Sequence, residues 1–298
     1  MKSIIRIVFI IIFSIFIINI LSKGKSEAGQ VKVQSTPAWQ EYESIQLMAA
    51  LENNMSKEMN DDTSTTSTDD LPDYAKLFPQ LYTVNNIPQQ MEGDRKIAYL
   101  TFDDGPSENT DEVLEVLKEK GVKATFFIVG SSITESGEVY LKEMVEQGHT
   151  IGIHTYSHLC NEIYCSIERF LNDFDTVYQQ IYDITGEKVN IFRFPWGSNN
   201  GYSKSFKGAL FDEMERRGFT YYDWNVSADD SIGTPTSYSI KKNIAKDLEK
   251  HNYPVILMHD SVINDLTAKT LPQIIDMIKD KGYEFDTLDH RKPCQFKR

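Results

Sequence analysis

The sequence predicts an α/β fold built on a parallel sheet, and three observations carry that prediction. From Lys96 onward, apolar strand-like runs alternate with amphipathic helical stretches. The first helical stretches each close on a glycine, Gly121 and Gly148. The unusual polar residues fall repeatedly at one place, the C-terminal end of a strand run, the edge where parallel sheets and barrels build their sites.

Each element can be taken in order. "KIAYLTF" (96–102) is the first strand, followed by a helix over 111–120. "KATFFIVG" (123–130) is the second, followed by a helix over 138–147. "HTIGIHT" (149–155) is the third, and a long helix over 166–184 follows it. "VNIFRFP" (189–195), "FTYYDWNV" (219–226), "YPVILMHD" (253–260) and "YEFDTL" (283–288) continue the series. Helices over 204–217, 238–250 and 267–280 separate them. Seven strands alternating with helices imply a parallel sheet, open or closed as a barrel.

The first third of the chain reads differently. Lys2 and Arg6 precede an apolar run from Ile7 to Leu21, and Ser26 and Ala28 are small residues suited to a cleavage site. Lys23 and Lys25 lie between run and site, which fits a retained anchor equally well. Residues 1–28 are therefore expected to be a signal peptide or a membrane anchor, with the body of the protein outside the cytoplasm. "NDDTSTTSTDD" (60–70) is polar and lacks apolar periodicity, and "LPDYAKLFPQLYTVNNIP" (71–88) mixes Pro and aromatics like a segment that lies on a domain surface; 29–90 is expected to be a stalk or linker, partly disordered, before a domain at 91–298.

Composition narrows the partners. Of 298 residues, 40% are hydrophobic and 11% aromatic, enough for a core. The net charge of −13 argues against nucleic acid and against an anionic substrate, leaving a neutral one. Three cysteines (Cys160, Cys165 and Cys294) give no disulfide framework, and buried free thiols are expected.

The chemistry starts at "AYLTFDDGPS" (98–107), where Asp103 and Asp104 stand together at a strand end. A capped turn before Gly-Pro would also explain them. Other strand ends add His154 and His158, Arg193, Asp229 and Asp230, then His259 and Asp260. Histidines at i and i+4 suit one metal if the segment turns helically after the strand. With one aspartate they make a two-His, one-carboxylate set suited to zinc, cobalt or a related divalent ion. The adjacent carboxylates then divide two roles, one a ligand and the other a base acting on water. Asp229 reads as a turn residue, His149 and His251 as structural cations at helix ends, and Trp224 as core.

Five segments in order, "TFDDGPS", "HTYSH", "RFPWGS", "WNVSADD" and "VILMHD", resemble the motifs of the polysaccharide deacetylases, the NodB-homology domains of carbohydrate esterase family 4. The resemblance covers about residues 95–290 and includes the connecting "IYCSIERFLNDF". It implies a distorted (β/α) barrel of about seven parallel strands. By the same resemblance Asp103 is the general base, and Asp104, His154 and His158 hold one divalent metal, zinc first, with cobalt or manganese possible. Arg193 pairs with Asp103, the Trp196 backbone N–H helps hold the oxyanion, and Leu257 lines the acetyl pocket. His259 protonates the departing amine with Asp230 positioning its ring.

Four residues depart from the pattern: Trp196 replaces a usual Tyr, Cys165 a common Ser, Ser227 a usual Asp, and Ser231 a Trp that often closes the acetyl pocket. The expected activity is N-deacetylation of an extracellular N-acetylglucosamine polymer, peptidoglycan first, by a monomer tied to a membrane through its N-terminus. The alternatives are an acetylxylan-type O-deacetylase and a catalytically silent carbohydrate-binding wall module. The intact set of Asp103, Asp104, His154, His158, Arg193 and His259 argues against silence. An aspartyl-nucleophile phosphatase would leave both histidines without a role.

Overall fold

A computed structural model describes residues 71–88 and 95–296, and among these eight strands form one parallel sheet. The central strand, β1 (Ile97–Asp103), is buried at all seven positions. It lies between β2 (Ala124–Ile128) and β7 (Val255–His259). From β2 the sheet continues through β3 (Thr150–Ile153), β4 (Ile191–Phe192) and β5 (Thr220–Tyr221). Beyond β7 lies β6 (Val226–Ser227), and β8 (Glu284–Phe285) pairs the first two residues of β1. The sheet curls into the expected distorted (β/α) barrel, and every predicted strand run contributes to it.

The fifth run departs from expectation. Residues 219–226, read as one strand, form two pieces at opposite ends of the sheet order, with β5 on β4 and β6 on β7. The reason lies in the residues between. The Tyr222 and Asp223 carbonyls accept from the Arg193 guanidinium at 3.0 and 3.2 Å, so they are turned away from any ladder.

The helices are α1 (Thr110–Lys120), α2 (Glu135–Glu146), the short α3 (Cys160–Ile163), α4 (Ile167–Thr185), α5 (Lys207–Arg216), α6 (Ser237–Leu248) and α7 (Asp265–Asp280). In α4, Phe170, Phe174, Val177 and Ile181 repeat every three or four residues and are fully buried. The helix starts at Ser166, whose Oγ accepts from the Arg169 N–H, and stops at Gly186 in the left-handed region. Phe174 meets Phe192 of β4 edge-on at 5.3 Å, which docks the helix on the sheet.

The packed domain begins earlier than the expected boundary at 91. Ala75, Phe78, Leu81 and Ile87 are buried, so residues 71–88 lie on the domain rather than in a stalk. What holds them is Arg217, fully buried just after α5. Its Nη1 donates to the Phe78 and Leu81 carbonyls, its Nη2 to those of Tyr74 and Leu77, and its Nε to Glu213 Oε1 at 2.6 Å. Gly218 lets the strap approach, because a Cβ there would stand 2.1 Å from the Thr83 carbonyl oxygen. The Pro- and aromatic-rich stretch 71–88 does lie on a domain surface as its composition suggests, but the guanidinium that fastens it through carbonyls leaves no apolar period to read.

The remainder of the expected stalk and the 1–28 segment lie outside the described residues. No helix among the described residues is long and apolar enough to cross a membrane.

Replacing Arg217 with Ala leaves four carbonyls and part of the Glu213 charge without a buried donor. The variant is expected to lose about 3 kcal/mol of stability in denaturant unfolding and to become cleavable by protease within 71–88. A loss under about 0.5 kcal/mol, the range of ordinary surface changes, would show that the strap holds by apolar contact alone.

Candidate active site

Strand ends converge at one edge of the barrel. In the β1–β7 register Asp103 stands opposite His259. His154 follows β3 and Arg193 follows β4, so the parallel register brings four strands' C-terminal ends together. Leu257, two residues before His259, shares its face of β7 and pairs in register with Thr101.

Neighbouring strand residues should face opposite ways, yet Asp103 and Asp104 both reach His154. Asp103 Oδ2 lies 3.7 Å and Asp104 Oδ1 3.5 Å from its Nε2. The cause is Asp104's left-handed backbone, φ 71°, which ends the strand and swings the second carboxylate round. Gly105 must follow, because a Cβ there would sit 2.6 Å from Asp260 Oδ2. Asp260 closes the turn: its N–H donates to the Asp103 carbonyl at 2.8 Å, and its Oδ2 accepts from Thr110 Oγ1 at 2.7 Å. Burial pushes the Asp260 carboxyl up to about 8.

Arg193 is buried completely. Its Nη1 donates to Asp103 Oδ1 at 2.7 Å and to Thr101 Oγ1 at 2.8 Å, and its guanidinium stacks 4.2 Å from the Phe127 ring centroid. Asp103 Oδ1 is thereby occupied, and Oδ2 is the oxygen turned toward the histidines.

His154 donates from Nδ1 to the Arg193 carbonyl at 2.8 Å, which leaves Nε2 as a lone pair aimed into the site. Burial lowers its pKa against the opposing pull of Asp103, so the ring stays neutral, as a ligand must be. His158 arrives by a loop, not by the helical turn expected from its i, i+4 spacing. Thr155 and His158 both have positive φ, 72° and 52°. Asp173 of α4 holds the loop by accepting from the Tyr156 N–H at 2.5 Å and the Ser157 N–H at 3.0 Å.

Asp104, His154 and His158 offer ligand atoms that all lie within 4.8 Å of one another. Asp104 Oδ1 stands 3.5 Å from His154 Nε2 and 3.4 Å from His158 Nε2. Bonds of about 2.1 Å at tetrahedral angles separate ligands by about 3.4 Å, so these spacings fit a small divalent ion. Asp104 Oδ1 is buried with no hydrogen-bond partner, and a lone pair of His154 faces it. Acceptors converging without a donor are what a cation satisfies.

On the other side, Asp230 Oδ1 accepts from His259 Nδ1 at 2.8 Å, and its Oδ2 accepts from the His259 N–H and from Thr267 Oγ1. Burial alone would lower His259, but the Asp230 hydrogen bond and charge, with Asp103 and Asp104 behind, pull it up to about 9. Trp196 sits at φ 62°, and its backbone N–H has no acceptor among the described residues. Asp223, wholly buried, accepts from the Ser198 N–H and Oγ and so fixes the loop carrying Trp196. Ser231 accepts from Asn264 Nδ2 at 3.1 Å. Asp229 is an exposed turn residue bonded by Ser227 Oγ. The three cysteines are free thiols as expected, but none is fully buried: Cys165 is exposed, and Cys160 and Cys294 are half-buried.

Sequence reasoning missed Asp173, Asp223 and Thr267. Only Asp173 left a signal, an acid on the apolar stripe of α4 between Phe170 and Val177.

Residues 90–210 match the family model for polysaccharide deacetylase. The chain belongs to the polysaccharide deacetylase family. A peptidoglycan-N-acetylglucosamine deacetylase of Bacillus cereus is 32% identical over 70% of this chain and 75% of its own. A putative polysaccharide deacetylase of Bacillus subtilis is 33% identical, covering 74% of each. Among solved structures, the catalytic domain of a peptidoglycan N-acetylglucosamine deacetylase from Eubacterium rectale superposes with a TM-score of 0.66 at 34% identity, covering 72% of this chain and 97% of that one. This deacetylase is therefore a hydrolase with the family's architecture, and a possible metal site stands at the expected strand edge.

The two carboxylates should separate on mutation. Asp104→Asn and His154→Ala are expected to lose tight divalent-metal binding by elemental analysis and calorimetry. Asp103→Asn should keep the metal yet lose about 10²–10⁴ in turnover. If Asp103→Asn lost the metal and Asp104→Asn kept it, the roles would be reversed.

Proposed function

We propose that this polysaccharide deacetylase removes N-acetyl groups from an N-acetylglucosamine polymer, with peptidoglycan as its substrate. The observation that carries the reading is the division between Asp103, held by Arg193 through one oxygen, and Asp104, converging with two histidines. Curated relatives with that substrate in their names support the choice of glycan.

Asp104, His154 and His158 would hold a divalent ion, zinc by its donor set, which would supply Lewis acidity when bound. Asp103 Oδ2 takes a proton from the water that attacks the carbonyl carbon. The Trp196 N–H donates to the carbonyl oxygen as it gains charge. His259 then gives a proton to the nitrogen, the C–N bond breaks, and acetate and a free amine result. A protonated His259 meets what an amide needs, because an amine leaves only when protonated, and the same group would serve an ester as well.

Beside Asp104 lies a cavity of about 450 Å³, lined in part by Ser107, Ser132, Thr134, Ser136 and Tyr140. Hydroxyls around a neutral sugar suit such a cavity better than an anionic ligand would. We also propose an extracytoplasmic location and a membrane tie through residues 1–28, supported by the Lys2, Arg6 and Ile7–Leu21 pattern.

Acetate release from peptidoglycan, N-acetylglucosamine oligomers and acetylxylan tests the substrate. The full chain is expected to act on the first two and only weakly on acetylxylan, and the reverse order would establish the esterase reading.

Removing Asp230's charge tests the acid. His259 works when protonated, so activity should fall as pH rises through its pKa, near 9 in the native chain. Asp230→Asn should move that alkaline limb down by about one unit or more, and an unmoved limb would exclude His259 as the acid.

A further inference from the structure

Residues 291–296 follow β8 and lie beyond the five motifs, yet they run behind the active edge. They meet the chain between β5 and β6, where the fifth strand run leaves one end of the sheet for the other. The Asp223 N–H donates to the Cys294 carbonyl at 2.6 Å, Gln295 Nε2 to the Tyr221 carbonyl at 3.3 Å, and the Phe296 N–H to Asp223 Oδ2 at 2.7 Å. The segment thus gives Asp223 a backbone partner that neither strand supplies.

Asp223 is where this segment reaches the chemistry. It is completely buried, and its carbonyl accepts from Arg193 Nη2 at 3.2 Å. Its Oδ1 accepts from the Ser198 N–H at 2.8 Å, and its Oδ2 accepts from both Ser198 Oγ at 2.6 Å and the Phe296 N–H. One carboxylate oxygen therefore joins residue 296 to residue 198. A second contact is direct. The Phe296 ring meets Trp224 edge-on at 5.0 Å, and a Cβ on Gly197 would stand 3.0 Å from Phe296 Cε2. Gly197, at φ 76°, donates from its N–H to the Phe194 carbonyl at 2.8 Å, which makes the tight turn that presents Trp196. Both residues after Trp196 are thus held from behind by Phe296: Gly197 by its ring, Ser198 through Asp223.

A segment that served stability alone would gain it by apolar burial, but Gln295 is exposed and Phe296 only half-buried. Its hydrogen bonds converge instead on the carboxylate that fixes the turn, and charged acceptors make such bonds strong. We propose that Phe296 is a positioning residue for the reaction: through Asp223 and Gly197 it sets the direction of the Trp196 N–H, and with it the fit of that donor to the developing oxyanion. The role of that N–H rests on the function proposed above. A donor displaced by a fraction of an ångström loses much of its effect on kcat, while glycan binding, made elsewhere on the edge, is untouched.

The test uses the full chain and a pentasaccharide of β-1,4-linked N-acetylglucosamine. Phe296→Pro removes both the ring and the N–H donor, and should lower kcat about tenfold with KM unchanged. Phe296→Ala keeps the N–H and should lower kcat about threefold, a second measure that does not depend on how the proline is accommodated. Asp223→Asn is the background that tests the route. Its amide nitrogen can still donate to Ser198 Oγ but cannot accept from the Phe296 N–H, so adding Phe296→Pro should cost less than about twofold more. An unchanged kcat in the Phe296 variants, a loss carried by KM, or additive losses in the double variant would overturn the proposal.

Hydrogen exchange separates this inference from the function it rests on, because it needs no turnover. The Ser198 amide should exchange about tenfold faster in Phe296→Pro than in the native chain, with the amides of β1 unchanged. A native chain that releases no acetate from any glycan, together with faster Ser198 exchange in the variant, would refute the deacetylase function and leave the positioning of the Trp196 turn standing. Equal Ser198 exchange in the variant and the native chain would refute the positioning.

Discussion

A guanidinium without access to water is the constraint around which this structure is arranged. A guanidinium is buried only with partners, because leaving one unpaired costs several kcal/mol, a large share of a domain's stability. Its donors reach Thr101 and Asp103 on β1, Tyr222 and Asp223 between β5 and β6, and its own carbonyl fixes His154. One residue therefore sets the orientation of Asp103, the tautomer of His154 and the path of the chain across the open side of the barrel. The split of the fifth strand run and the form of the active edge share this cause.

Around that centre, buried aspartates fix the loops. Asp173 accepts from two backbone N–H groups of the histidine loop, Asp223 from those of Ser198 and Phe296, and Asp230 from that of His259. Carboxylate acceptors strengthen such bonds and hold irregular backbone that has no ladder. Left-handed residues at Asp104, Thr155, His158 and Trp196 need that support, since side chains make the conformation unfavourable. Part of the chain's acidity is thus internal scaffolding rather than surface charge.

How much of this was legible follows from the kind of signal. Strand ends were, because apolar runs stop where polar residues begin, and the alternation alone placed Asp103, His154, Arg193 and His259 at one edge. Period cannot see conformation, however. Nothing in "HTYSH" distinguishes a helical turn from the left-handed loop that forms, because the deciding contact is Asp173, 15 residues beyond His158. Arg217 was silent for the same reason: its partners are carbonyls, which every residue has, so no side-chain pattern records the strap.

Charge pairing in the site explains why its acidic residues do not compete. Arg193 answers Asp103, and His259, raised to about 9, answers Asp230. Asp260 lies close enough for its charge to matter to Asp104, but burial raises it to about 8, so at neutral pH it is mostly protonated and adds little repulsion. Two environments thus push neighbouring groups upward for opposite reasons: one gains a partner, the other loses water. Asp104 remains as the carboxylate without a cationic side chain at salt-bridge distance other than two histidines, of which His154 is kept neutral by burial. Asp104 Oδ1 and the two imidazoles thus converge on a possible site for a positive ion, and among the described residues no Lys or Arg forms an ion pair with Asp104.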